Sequence, residues 1–171
     1  RGKTAGVVGT GAIGTATIRL LLAFGCKVLA YNRSRVISSA VDDQLSLEEM
    51  LPQCDIVSVH LPLTDETAKF IGRDQLAMMK PSAILLNTAR GGVVDTEAVV
   101  EALNSGALAG FAADVFESEP PLADHPFFHT PNTLLTPHIG FASVESMQMR
   151  AEIVFDNLYS WLDGTVINRV K

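Results

Sequence analysis

With 171 residues the chain is long enough to bury a substantial core as one domain. Its 47% hydrophobic and 19% charged content is that of a globular protein and excludes a disordered or fibrous one. A net charge of -6 argues against nucleic acid or an anionic membrane as partner, and no apolar run approaches the roughly 18 residues of a membrane span.

In chain order the pattern alternates strand and helix, which predicts a parallel α/β sheet, doubly wound with helices on both faces. Residues 4–8 form a short apolar strand followed by a glycine loop. Ile13, Ala16, Thr17, Leu20, Leu21 and Phe24 then repeat at 3.6 spacing and mark the expected buried face of a helix that Gly25 ends. Residues 27–31 read as the second strand. Ser46 caps a helix over 47–51, with Glu49 completing a capping box. Strands at 55–60 and 83–87 flank a helix at 72–79 that Pro81 stops. Asp95 caps the next helix, which runs to Asn104, with Ala98 where a box would want Glu. Strand five is 108–114, a Pro-rich loop spans 118–132, and strand six is 133–136. The last helix, 143–163, carries an apolar stripe at Val144, Met147, Ala151, Val154, Leu158 and Trp161.

Cys26 and Cys54 each neighbour an expected strand. Two cysteines make no disulfide framework, so both are read as buried thiols and the compartment as the cytoplasm. No signal-peptide pattern opens the chain. With Arg1 in place of an initiator Met, the chain is expected to be a domain of a longer protein.

Gly9-Thr10-Gly11-Ala12-Ile13-Gly14 is a G-x-G-x-x-G set between the first strand and the first helix. The first glycine permits the tight turn, the second lets the backbone approach a pyrophosphate, and the third allows close helix–sheet packing. The phosphates would meet the unpaired N–H groups at the helix N-terminus. That combination predicts a Rossmann-type, three-layer αβα domain that binds a dinucleotide.

The end of strand two discriminates between the two nicotinamide cofactors. An acid there would hold the ribose 2′-hydroxyl of NAD, but this chain has Asn32, followed by Arg33, Ser34 and Arg35. Asn32 would not repel a 2′-phosphate, the two arginines can pair with it, and Ser34 can donate to it. NADP(H) is therefore favoured, with NAD(H) admitted if the arginines face water and Asn32 holds the ribose.

Three ionisable residues, Arg90, Glu119 and His138, sit just past the last three strands. In a parallel sheet the ligand crevice lies outside the carboxyl ends of the strands. A cation, an acid and an imidazole arriving there predict a reaction centre.

The strings that carry them are Asn87-Thr88-Ala89-Arg90-Gly91-Gly92-Val93-Val94-Asp95, Asp114-Val115-Phe116-Glu117-Ser118-Glu119-Pro120 and Thr136-Pro137-His138-Ile139-Gly140. Together with the glycine loop they resemble the D-isomer-specific 2-hydroxyacid dehydrogenase family, over the whole chain. The chemistry agrees with the resemblance. Reducing a 2-keto acid needs a cation for the carboxylate, which Arg90 supplies in two-point geometry. It also needs a proton for the developing oxygen, which suits His138, whose ordinary pKa is near neutral. Glu119 would bond the other imidazole nitrogen and favour the charged ring. The family pattern selects Glu119, directly before Pro120, over Glu117.

The resemblance further implies cofactor contacts from Leu61, Pro62, Thr67, Thr88, Ala89 and Gly140, and an Asp114 that orients the nicotinamide carboxamide; plain strand termination is the alternative for Asp114. It places backbone cofactor contacts at His60 rather than the catalytic base. His125 and His129 are four apart, but Pro126 follows the first, so they are not assumed to share a face and no metal site is expected.

Family members carry a second, substrate-closing domain, which this chain is expected to lack, so it should bind cofactor yet turn over poorly. The leading expectation is the coenzyme domain of an oxidoreductase acting on a small 2-keto or 2-hydroxy acid, as a homodimer through this domain. Two alternatives are a cofactor-sensing protein similar to co-repressors of the same fold and the cofactor domain of a different dehydrogenase, such as an alanine dehydrogenase.

Overall fold

The computed structural model describes residues 1–33 and 43–169. They fall into two compact units, Arg1–Pro137 and His138–Lys171.

The first unit is built on seven parallel strands: β1 (Thr4–Val8), β2 (Lys27–Tyr31), β3 (Asp43–Gln44), β4 (Ile56–Val59), β5 (Ile84–Asn87), β6 (Gly110–Ala113) and β7 (Thr133–Leu135). Their order across the sheet is β3-β2-β1-β4-β5-β6-β7. The chain starts in the middle, winds outward through β2 and β3, then returns to build the other half from β4. The reversal between β1 and β4 is the switch point at which such sheets open a crevice.

The register places the last residues of six strands level with one another. Val8 lies opposite Tyr31 and Val59, Val59 opposite Asn87, Asn87 opposite Ala113, and Ala113 opposite Leu135. Whatever follows each strand therefore emerges along one edge. Every strand expected from the sequence is present; the two-residue β3 adds to them, being too short to carry a period.

The helices are α1 (Ala12–Ala23), α2 (Leu47–Met50), α3 (Arg73–Met78) and α4 (Thr96–Ser105). Ser46 and Glu49 form the capping box of α2. The Asp95 carboxylate accepts from the Glu97 and Ala98 amides at the start of α4, and left-handed Gly106 ends it. A short 3₁₀ turn at Pro126–His129 interrupts the Pro-rich loop. Both faces of the central strands are buried, as parallel sheets require: Val7, Val28 and Ala30 pack with Ile18 of α1, while Val8, Leu29, Val57 and Leu85 join a larger cluster with α2, α3 and α4.

Two expectations need correction. In α1 the buried residues are Gly14 and Ile18, with Leu21 and Leu22 packed alongside; Ile13, Leu20 and Phe24 are 72%, 62% and 73% exposed. Hydrophobic spacing misplaces the face because the residue that sets the helix rotation is a glycine, packed against the strand. Cys54 is buried as expected, but Cys26 is only half-buried; both thiols are free.

The second unit holds α5 (Val144–Leu162), capped by Ser143, whose hydroxyl accepts from the Ser146 amide. None of its residues is buried, the expected apolar stripe included.

Candidate cofactor and active site

The glycine loop has the geometry its residue types require. Gly9 has φ +96°, and a Cβ on it would lie 2.6 Å from the His60 carbonyl oxygen. A Cβ on Gly14 would lie 2.0 Å from the Gly9 carbonyl oxygen, so α1 reaches the strand only because that atom is missing. Gly11 is different. Nothing lies within 4 Å of where its Cβ would be, so its backbone is open to a ligand. Gly11 is also the N-cap of α1, with no side chain to satisfy the first N–H groups and no acid in the first turn. Those donors and the positive end of the helix dipole are left to an anion. The buried Thr10 hydroxyl in the same loop has no hydrogen-bond partner among the described residues. The loop thus fits a pyrophosphate.

A cavity of about 640 Å³ opens beside it, lined by Ile13 after β1, residues 60–63 after β4 and residues 88–90 after β5. Its position is that of the switch-point crevice, and its size suits a small-molecule site. The His60 ring nitrogen Nε2 lies 2.9 Å from the Ser58 hydroxyl; burial lowers its pKa below the ordinary value, so the ring is neutral at physiological pH. A second recess of about 320 Å³ shares Leu61 and Pro62 with the first and runs to the end of β2. Asn32, Arg33, Glu66 and Thr67 line it. Arg33 is paired there with Glu66 at 2.5 Å. Ser34 and Arg35 lie outside the described residues.

The Arg90 turn is held by a buried side chain. Asn87, the last residue of β5, is 1% exposed. Its amide donates to the Arg90 carbonyl at 3.0 Å and accepts from the Ala89 N–H at 3.1 Å. These two bonds fix Thr88, Ala89 and Arg90 as a closed turn on the cavity wall, with the exposed Arg90 guanidinium donating to the Ala89 carbonyl. A Cβ on Gly91 would lie 2.0 Å from the carbonyl carbon of Phe116 and 2.3 Å from the Glu117 nitrogen. The Arg90–Gly91 backbone therefore abuts the turn that carries Glu119.

In that turn the Glu119 carboxylate accepts from the Phe116 N–H at 3.0 Å. Glu117 is engaged elsewhere, with the Thr96 hydroxyl and with His125 Nε2 at 3.2 Å. Burial would raise the Glu117 pKa, but the hydrogen bonds from Thr96, its own backbone and His125 bring it below its ordinary value. Asp114, buried at the end of β6, accepts from the Thr136 hydroxyl at 2.5 Å, and its N–H donates to the Asn87 carbonyl. Strand ends β5, β6 and β7 are thereby tied together.

His138 opens the second unit. It is left-handed at φ +54°, and its ring meets Phe141 edge-on at 5.6 Å. Gly140 follows in the turn that leads to α5.

Residues 1–140 match the family model for the NAD binding domain of D-isomer specific 2-hydroxyacid dehydrogenases. The chain belongs to that family. A glyoxylate reductase of Thermofilum pendens is 45% identical over 168 residues, covering 96% of this chain and 50% of the relative. An NADPH-dependent glyoxylate/hydroxypyruvate reductase from Sinorhizobium meliloti, solved with NADP and malonate, superposes with a TM-score of 0.87 at 36% identity, covering 95% of this chain and 50% of the other. A D-isomer specific 2-hydroxyacid dehydrogenase from Lactobacillus delbrueckii in an NAD complexed form gives 0.89 at 31% identity, covering 99% and 56%. The chain thus spans about half the length of the relatives it matches.

For this family domain the structure brings Ile13 of the glycine loop, Asn32, Arg33, Leu61, Pro62, Thr67, Thr88, Ala89 and Arg90 to two adjoining recesses. Sequence reasoning gave no role to Asn87, Glu66, Leu63 or Phe70. Asn87 carried a signal, since an Asn ending an apolar strand is a buried polar group in need of partners. Glu66, in the charged run Asp65-Glu66, carried none.

Proposed function

We propose that the chain is the coenzyme half of a 2-hydroxyacid dehydrogenase that interconverts a small 2-keto acid, of the glyoxylate type, and its 2-hydroxy acid. The observation that carries this reading is the uncapped N-terminus of α1 at open Gly11 beside a cavity on whose wall Arg90 sits. Gly11, Ala12 and Ile13 would hold the pyrophosphate through the first helical N–H groups, with Gly9 and Gly14 shaping the turn. When bound, the nicotinamide group supplies or accepts the hydride. Arg90 would grip the substrate carboxylate, Asp114 and Gly140 would help place the nicotinamide end, and His138 would give the proton to the carbonyl oxygen in the reductive direction. Glu119 is assigned the part of the acid that would partner that imidazole.

NADP(H) is the favoured cofactor because β2 is followed by neutral Asn32 and then Arg33; the engagement of Arg33 with Glu66 leaves room for NAD(H) as well. Assembly as a homodimer through this domain belongs to the same reading, and the exposed apolar face of α1 supports it. Two free thiols fit the reducing cytoplasm; among the described residues no helix is long and apolar enough to cross a membrane. The relatives' names give the cofactor-sensing alternative no support.

The test is a chimera in which this chain replaces the matching half of the Thermofilum pendens relative. Glyoxylate-dependent NADPH oxidation, followed at 340 nm, should appear, and His138→Ala should lower it by about 10²- to 10⁴-fold. A chimera that binds NADPH and oxidises it equally well with His138→Ala would remove the proposed proton donor.

A further inference from the structure

We propose that Glu66 is a specificity-determining residue, which holds Arg33 and so weakens selection for the 2′-phosphate of NADP(H). The inference rests on the cofactor reading of the site given above. An acid that selects NAD normally stands at the exit of the second strand, and here that place, directly after β2, is taken by Asn32. A carboxylate nevertheless reaches the same recess from another part of the chain: Glu66, in the β4–α3 connection, lines it together with Asn32 and Arg33.

Glu66 is held in place by its own loop. The Thr67 hydroxyl donates to the Pro62 carbonyl at 2.6 Å and accepts from the Thr64 N–H at 2.8 Å. Phe70 packs on Tyr31, the last residue of β2, with ring centroids 5.8 Å apart. The Lys69 N–H donates to the Gly92 carbonyl and the Ile71 N–H to that of Val93. The loop is thus tied to β2 on one side and to the segment after Arg90 on the other.

The guanidinium and carboxylate are 86% and 75% exposed. An ion pair in that setting is worth at most about a fivefold factor in an equilibrium, so a 2′-phosphate offering two-point geometry can compete for Arg33. The phosphate must then displace Glu66 from Arg33, a cost that a 2′-hydroxyl does not meet. Glu66 therefore acts against NADP(H) and leaves NAD(H) almost untouched.

The experiment is calorimetric titration of this chain with NADPH and with NADH, for the native sequence, Glu66→Gln, Arg33→Ala and the double variant. Glu101→Gln, on α4, serves as a control that removes the same charge away from the recess. Glu66→Gln is expected to tighten NADPH by up to about fivefold and to change NADH by less than about twofold. The gain should vanish in the Arg33→Ala background and shrink at ~1 M salt, where the Debye length is only about 3 Å. An unchanged NADPH-to-NADH ratio, a gain that survives Arg33→Ala, or an equal gain from Glu101→Gln would overturn the inference. Failure of the native chain and every variant to bind either cofactor would instead overturn the cofactor reading itself.

Discussion

Asn87→Ala is predicted to loosen the wall of the proposed substrate pocket and to destabilise the first unit by about 2 kcal/mol. The substitution removes both bonds that close the Thr88–Ala89–Arg90 turn, at 3.0 and 3.1 Å. A hydrogen bond of this kind contributes about 1 kcal/mol net, and leaving a buried partner unsatisfied costs about 1–3 kcal/mol. Arg90 is exposed and Ala89 half-buried; water can reach their freed groups, which keeps the sum near the lower bound of about 2 kcal/mol. With a urea dependence of ~2 kcal/mol per molar, the unfolding midpoint should fall by about 1 M. NADPH affinity, measured on the same protein below the transition, should fall too, because that turn lines the larger cavity. A midpoint within about 0.25 M of the native chain, equivalent to ~0.5 kcal/mol, would refute the reasoning.

Gly14→Ala should be far more damaging than Gly11→Ala to folding, since the added methyl would lie 2.0 Å from a backbone oxygen in one case and in open space in the other; comparable thermal midpoints would contradict this. Gly11→Val should instead leave the midpoint within a few degrees and weaken cofactor binding at least tenfold by titration, by occupying the space left for the pyrophosphate. Burial pushes the Cys54 thiol up to about 11, so at pH 8 a thiol reagent should label half-buried Cys26 and spare Cys54 until denaturant is added; rapid labelling of both would contradict it. For Asp95, burial would raise the pKa, but hydrogen bonds from Lys69, Ala98 and Glu97 bring it below the ordinary value. Its stabilising effect is therefore complete above the unfolded value, about 3.9, and is lost as pH falls through the lower folded value. Asp95→Ala should cost about 1 kcal/mol at pH 7 and almost nothing once both forms are protonated, as read by urea unfolding across that range.

What the sequence made legible follows from which interactions are local. Strand positions, the Ser46 box, the Asp95 cap and the tight geometry of the glycine loop are written in neighbouring residues, and each is present. Three features were not legible for separate reasons. The rotation of α1 is set by backbone contact at Gly14, which a hydrophobic count ignores. The Asn87 clamp needs the chain to turn back three residues after the strand, so its partners are known only once the turn is formed. The Arg33–Glu66 pair joins residues 33 apart, across a sheet order that places β2 and β4 on either side of β1. The positions of Arg90 and Glu119 past strand ends were legible, because the register levels six of the strand ends along one edge, and that in turn follows from the parallel αβ alternation.

The most direct test of the central claim, that the edge at the β1/β4 switch point holds a nicotinamide dinucleotide, is an amide chemical-shift titration of the isotope-labelled chain with NADPH. The largest changes should fall on Gly9, Gly11 and Ile13, on Asn32 and Arg33, and on Leu61, Thr88 and Arg90. Changes concentrated instead in the groove between α3 and α4, around Leu76 and Ala102, or absent at saturating cofactor, would contradict it.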